Sequence, residues 1–158
     1  MTTEYFQKEN GIVHRLHIDQ HVSIYTDGSC HNAKGDGGWG VFITMNGYTI
    51  ELSGAKGGTT SNVMEMTAVY KALKAQGNPA IPVIVYTDSQ YVQRGMTGGF
   101  KNMTKNHKLW KKLLAQKERF SDIKIEWVKG HAGNPGNERA DFLAGEAMKK
   151  GREMRAKL

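Results

Sequence analysis

Residues 22–29, with the sequence VSIYTDGS, decide the fold. β-Branched and aromatic residues pack well on a pleated sheet, so this stretch is predicted to be a buried strand that ends at Asp27 and is broken by Gly28. A similar motif, VIVYTDS, occurs sixty-one residues later at residues 83–89, and its Asp88 corresponds to Asp27. An ionised carboxylate at the end of a buried strand is costly unless it is paired or bound to metal. The repeat therefore predicts a shared role for Asp27 and Asp88.

The composition is that of a globular protein with a basic surface. The 158 residues fit one domain with a core of its own, and 39% of them are hydrophobic. Lys and Arg number 22 against 15 Asp and Glu, and the resulting charge of +7 favours a polyanionic partner, nucleic acid first. The chain shows no apolar run of membrane-span length and no signal-peptide pattern at its start, and its single cysteine fits a reducing cytoplasm. A cytoplasmic location without a membrane segment is therefore expected.

The predicted elements alternate between strands and helices after an initial meander of three strands. The Asn46-Gly47 pair is a strong hairpin signal and joins the second and third strands of that meander. Strands are predicted over 22–27, 40–45, 48–53, 83–88 and 123–128, and helices over 62–76, 89–94, 105–120 and 137–149. The first and fourth strands should be parallel neighbours, because a helix connects them. The fold class is therefore α/β, with helices packed against a mixed sheet.

Both ends of the chain leave alternatives open. Asn10-Gly11 lies between two apolar runs and fits a hairpin, but a loose leader fits equally well. The C-terminal residues are basic, and they either contact nucleic acid or form a solvated, frayed end. The predicted division is an N-terminal extension over 1–20, a catalytic domain over 21–150 and a basic tail over 151–158.

Two further carboxylates occupy helix positions that should be buried. Glu65 and Asp141 each precede small residues by three and four positions, which places them on packing faces. A solvent-facing acid at a helix start would explain either one alone, but together with Asp27 and Asp88 they favour a single site. Four converging carboxylates would repel one another without a cation, and oxygen ligands select Mg²⁺ or Mn²⁺. On a basic protein this predicts two-metal cleavage of a phosphodiester.

Four stretches, in this order and at these spacings, resemble type 1 ribonuclease H of the bacterial and phage kind. They are IYTDGSC (24–30), NVMEM (62–66), YTDSQYV (86–92) and WVKGHAGNPGNERAD (127–141). The resemblance covers roughly residues 21–150. It implies a ribonuclease H-like fold, with a five-stranded mixed sheet in the order 3-2-1-4-5 and helices on both faces. It also implies a monomer that cleaves the RNA strand of RNA–DNA hybrids with two Mg²⁺ ions, for which Mn²⁺ can substitute.

The resemblance implies roles for individual residues. The metal-binding, catalytic carboxylates would be Asp27, Glu65, Asp88 and Asp141. His131 matches a catalytic loop histidine that moves protons or helps product release, and Glu138 matches an acid near the metals. Asn62 and Gln90 would meet the hybrid in the minor groove, where 2′-hydroxyls distinguish RNA, and Thr60 would grip a DNA phosphate.

The segment from 95 to 110 departs from many bacterial relatives, because it is too short for their extra basic helix, the substrate handle. An asparagine expected near Ala33 is also displaced or absent. Basic residues elsewhere must then hold the hybrid, Lys105 and Lys108 above all, with a solvated helix face as the alternative. The further candidates are Lys101, Lys111, Lys112, Lys149, Lys150, Arg152, Arg155 and Lys157.

Two other functions are compatible with parts of the sequence. An integrase-like or resolvase-like nuclease shares the fold and the acidic site but lacks the complete stretch from His131 to Asp141. A non-catalytic nucleic-acid-binding module would use the basic surface but has no need of four carboxylates. Cleavage of hybrids is therefore the favoured prediction.

Overall fold

The structure, a computed structural model, describes residues 2–31, 33–100 and 105–158. Its strands are β1 (Thr2–Glu9), β2 (Ile12–Asp19), β3 (Val22–His31), β4 (Asp36–Met45), β5 (Tyr48–Lys56), β6 (Val83–Thr87) and β7 (Ile123–Trp127). Its helices are α1 (Ser61–Ala75), α2 (Gln90–Met96), α3 (His107–Glu118) and α4 (Pro135–Ala156). Each strand and helix predicted from residue 22 onward is present, in the predicted order.

Strand β3 is the centre of a five-stranded sheet with the order β5-β4-β3-β6-β7. It pairs antiparallel with β4 and parallel with β6, so that Tyr25 lies beside Tyr86. β7 continues the sheet as a parallel neighbour of β6. Counted from β3, this is the order 3-2-1-4-5, and both the fold class and the parallel pairing are confirmed.

Helices cover both faces of the sheet, as the alternation of residues along β4 shows. A side chain at Gly37 would collide with Met64 of α1, whereas one at the next residue, Gly38, would collide with Ala144 of α4. Residues two apart point to the same face, so α1 and α4 lie on opposite sides. The core lies on the α1 side, where Ile24 and Val41 pack with α1 and with Trp110 of α3.

The prediction that Gly28 ends its strand is wrong. β3 continues through Gly28 to His31, with Gly28 paired to Trp39 of β4. Glycine is required here by packing, because any side chain would collide with the backbone of Glu65 at the start of α1. Asp27 therefore lies inside the central strand, whereas Asp88 does follow the end of β6.

The two ends of the chain are both ordered into regular elements. β1 and β2 form an antiparallel hairpin, separate from the main sheet, through Asn10 and Gly11. Both turn residues have positive φ, 49° and 80°, as this kind of two-residue turn requires. At the other end α4 continues seven residues beyond the predicted end at 149. The domain boundaries at 20 and 150 stay a prediction.

Ten residues, 97–106, separate α2 from α3, and 101–104, with the candidate Lys101, fall outside the described residues. In the part of the chain that the structure describes, no helix has the length and apolar character needed to cross a membrane.

Candidate active site

Asp27 lies on the face of β3 that looks toward α4. Its neighbour on that face, Tyr25, touches α4 so closely that Gly136 has no room for a side chain. Asp27 pairs across the strands with Gly40, a second position that α4 keeps free of side chains. The carboxylate is consequently only 5% exposed.

Glu65 reaches the site from the second turn of α1. The helix begins at Ser61 because the Thr60 side chain caps it, accepting a hydrogen bond from the backbone N–H of Val63 at 3.3 Å. Glu65 is largely buried, and its carboxylate accepts a hydrogen bond from the backbone N–H of Gly28. The close approach at Gly28 thus sets the position of Glu65 against the central strand.

Asp88 is half-buried between β6 and α2, and its backbone is held on two sides. Ser89 caps α2 by accepting a hydrogen bond from the N–H of Val92, and its own N–H donates to the Thr87 hydroxyl, both at 3.1 Å. The indole N–H of Trp127 donates to the backbone carbonyl of Asp88 at 3.0 Å. Trp127, which is 45% exposed, was not predicted as a site residue, although it opens the stretch that carries His131.

The structure brings three of the four predicted carboxylates into one group. One oxygen each of Asp27, Glu65 and Asp88 lies within 4.8 Å of the others, an arrangement that can hold a metal ion. Asp141, on α4, stands outside this tight group but interacts through a hydrogen bond with Asp27. The fourth acid therefore borders the cluster on its α4 side.

The cluster is electrostatically unfavourable by itself. Burial, with repulsion from Glu65 and Asp88, raises the pKa of Asp27 to about 10. Burial, with repulsion from Asp88, raises the pKa of Glu65 to about 8, and burial also raises the pKa of Asp88. Within the described residues, Glu65 Oε2 is buried without a hydrogen-bond partner, and no Lys or Arg forms an ion pair with these acids. The residues therefore fit a hard divalent cation, which would supply the missing positive charge.

His131 projects from the loop between β7 and α4. Its Nδ1 is 3.9 Å from Asp141 Oδ2, and its side chain is 79% exposed. The loop lies directly against the cluster, because a Cβ at Gly130 would be 2.7 Å from Asp88 Oδ2. His131 itself has a positive φ of 53°, a conformation uncommon outside glycine. The loop thus presents an accessible imidazole beside the acids.

The other predicted contact residues are exposed. Thr60, Asn62 and Gln90 lie at the N-terminal ends of α1 and α2, the ends from which the acids also approach. Lys105 and Lys108 lie before and in the first turn of α3, and Glu138 lies in the first turn of α4. A pocket of about 520 Å³ lies beside the contact of α1 with α3 and is lined by Lys56, Val63, Thr67, Asn106, His107, Lys108, Leu109 and Lys112. Lys56 was missed, since nothing in the sequence connects β5 with α3.

The family model for RNase H matches residues 19–149. The chain belongs to the ribonuclease H family. A ribonuclease H of Chromobacterium violaceum is 44% identical over 142 residues, covering 82% of this chain and 96% of that protein. A ribonuclease HI of Caulobacter vibrioides is 41% identical over 140 residues, covering 81% of this chain and 93% of that protein. The resemblance to ribonuclease H and the assignment as an enzyme of this class are confirmed.

Solved structures of the ribonuclease H family share the fold. The N-terminal RNase H domain of a Mycobacterium tuberculosis protein superposes with a TM-score of 0.76 at 28% identity, covering 87% of this chain and 99% of that domain. LC11-RNase H1, solved in complex with an RNA/DNA hybrid, superposes with a TM-score of 0.71 at 32% identity, covering 82% of this chain and 98% of that chain. The family match stops at residue 149, so the last turns of α4 lie beyond it.

Proposed function

We propose that this chain hydrolyses the RNA strand of RNA–DNA hybrids at the cluster of Asp27, Glu65 and Asp88. The observation that carries the proposal is the convergence of three partly or fully buried carboxylates, without a cationic partner among the described residues, in a basic protein of the ribonuclease H family. The hybrid bound by the relative LC11-RNase H1 supports the choice of substrate.

The cluster would hold the metal, with Asp141 completing the ligand set from α4. Two Mg²⁺ ions, or Mn²⁺ in their place, are proposed because all the available ligands are carboxylate oxygens. When bound, such ions lower the pKa of an attacking water and stabilise the leaving oxygen. The rigid mounting of the acids on β3, α1 and the end of β6 keeps their oxygens close despite their repulsion.

His131 would carry the proton that the leaving 3′ oxygen needs. An exposed imidazole exchanges protons readily with solvent, and Asp141, 3.9 Å away, can orient the ring. His131 does not belong to the group of Asp27, Glu65 and Asp88 that would bind the metal. Its proposed role is therefore to assist the reaction and not to bind the metal.

The hybrid would lie across the N-terminal ends of α1 and α2. The exposed amides of Asn62 and Gln90 can donate to and accept from 2′-hydroxyls, which only the RNA strand offers. Thr60 would meet a DNA phosphate. Lys105, with the lysines that line the pocket between α1 and α3, would neutralise further phosphates.

The test is a cleavage assay with labelled RNA–DNA hybrid, single-stranded RNA and duplex DNA, each with Mg²⁺, Mn²⁺ or chelator. Cleavage of the RNA strand of the hybrid alone, abolished by chelator and by D88N, is expected. Cleavage of duplex DNA would favour an integrase-like nuclease. Binding of the hybrid without cleavage in either metal would favour a non-catalytic module.

The proposal extends to location and assembly. We place the enzyme in the cytoplasm as a monomer, in keeping with the free thiol of Cys30. Light scattering with purified protein measures the assembly directly, and a stable dimer would contradict that part.

A further inference from the structure

The last turns of α4 are anchored on the sheet. Gly151 lies against β5 so closely that a Cβ there would be 2.5 Å from the Cβ of Ala55. One turn further, Arg155 forms an ion pair and a hydrogen bond with Asp36, the first residue of β4. The same guanidinium lies beside Gly57, where a Cβ would be 3.4 Å from its carbon. Arg155 thus spans the start of β4 and the loop that follows β5.

Among the ion pairs of the described residues, the pair with Asp36 has the most buried acid. Asp36 is 7% exposed, and a buried carboxylate needs a charged or hydrogen-bonding partner to offset its lost hydration. The Arg155 side chain is 38% exposed, so solvent still screens one side of the pair. Removing Arg155 would leave a buried negative charge without this partner.

Asp36 is connected to the loop 57–60 by hydrogen bonds of its neighbours. The carbonyl of Gly35 accepts from the N–H of Thr59 at 3.0 Å, and the carbonyl of Thr59 accepts from the Cys30 thiol at 3.4 Å. Thr60, the next residue, is the cap of α1. Arg155 therefore lies against the same loop that the turn between β3 and β4 binds through hydrogen bonds.

We propose that Arg155 is a positioning residue for substrate binding. Its ion pair with Asp36 fixes the loop 57–60, and with it Thr60 and Asn62, in the geometry that receives the hybrid. It also masks a buried carboxylate that would otherwise repel a polyanion. The inference rests on the proposed function and adds to it a role for the turns of α4 beyond residue 149.

The first experiment separates KM from kcat in hybrid cleavage by the full chain. R155A is expected to raise KM about fivefold and to leave kcat near the wild-type value, since the carboxylate cluster is untouched. R139A is the matched control, because it removes the same charge, and an ion pair with the exposed Glu51, from the same helix. An equal KM change in R139A and R155A would overturn the proposal, because bulk charge would then explain the effect.

A double-mutant cycle separates positioning from direct contact with phosphate. D36A should raise KM about as much as R155A, and the double variant R155A/D36A should be no worse than either single variant, because both remove one interaction. If Arg155 instead bound the hybrid itself, R155A would raise KM equally with and without Asp36, and D36A alone would not weaken binding. That outcome would overturn the proposal.

Hydrogen exchange covers the case in which an alanine variant fails to fold. In R155K, which retains the charge but not the guanidinium geometry, the amide of Thr59 should exchange several-fold faster than in the wild type, while amides in β6 stay unchanged. Unchanged exchange at Thr59 would overturn the proposal. A wild-type chain that fails to cleave hybrids would refute the proposed function, and the exchange experiment would still decide whether Arg155 holds the loop.

Discussion

Asp27 and Asp36 are buried to nearly the same extent, 5% and 7% exposed, on the two central antiparallel strands. Asp36 faces an arginine, whereas Asp27 faces Glu65 and Asp88, and burial together with this repulsion raises the pKa of Asp27. The exposed Glu51 shows the opposite shift, since a hydrogen bond from Arg139 lowers its pKa. Burial alone therefore does not distinguish a functional carboxylate here. The difference lies in the source of positive charge: the fold itself supplies Arg155 to Asp36, whereas Asp27 would need a bound cation.

The largest expected effect comes from removing one unpaired acid. D88N should lower kcat on hybrids by on the order of 10³-fold or more, because a metal ligand is lost, and it should not lower the stability of the metal-free protein, because repulsion is relieved. Thermal unfolding with chelator and single-turnover cleavage measure both. D36N, which changes an acid that is paired with Arg155, is the control for kcat, and full activity in D88N would break the comparison.

A smaller loss is expected for H131A, with kcat reduced about 10²-fold to 10⁴-fold and KM little changed. The variant also tests whether His131 is a counter-ion for the unpaired acids, as Arg155 is for Asp36. If the imidazole were a counter-ion, H131A would lower the melting temperature of the metal-free protein. We expect that temperature to stay unchanged, and a cleavage rate equal to wild type at every pH would remove His131 from the mechanism.

Lys105 and Lys108 form no ion pair within the described residues. They are unpaired cations, just as the acids of the cluster are unpaired anions. The double variant K105Q/K108Q should raise KM several-fold and leave kcat near normal. It should also flatten the log–log salt dependence of binding by about 0.9 for each phosphate that a lysine no longer neutralises. K124Q is the charge control, because Lys124 lies on β7 beside Ile84, at the end of β6 away from Asp88. An unchanged salt dependence would mean that the hybrid is held elsewhere.

The smallest effect concerns pH and the metal-free fold. The pKa values of Asp27 and Glu65 in the folded state, about 10 and about 8, lie above their unfolded values near 4. Their stabilising contribution is therefore fully present below pH ~4 and is lost as pH rises through about 8 and about 10.

Metal binding must displace the protons on Asp27 and Glu65. It should therefore restore the stability that the metal-free protein loses as pH rises. The rise in melting temperature on adding Mg²⁺ should be at least about 3 °C larger at pH 9 than at pH 6. The same titration with D88N should show a smaller difference. A Mg²⁺ effect independent of pH would contradict the raised pKa values.

The comparison also separates what could be predicted from what could not. The sequence offered Asp27, Glu65, Asp88 and Asp141 as candidates because strands and helix faces are local patterns, and because the family motifs surround them. The tight grouping of only three of them was not foreseen, since it depends on how closely α4 approaches β3. Lys56 and Trp127 were missed for the same reason, because their partners lie on other elements.

The sequence by itself determined the element order, because hairpin pairs, helix caps and apolar periodicity act over a few residues. The strand order was implied by the resemblance to ribonuclease H. Only the tertiary structure decided that β3 passes through Gly28 to His31, since the backbone of α1 lies where a side chain would be. It also decided that Arg155 pairs with Asp36, which lies 119 residues earlier in the chain, because α4 continues to Ala156. Such contacts depend on the packing of whole elements, which no local propensity encodes.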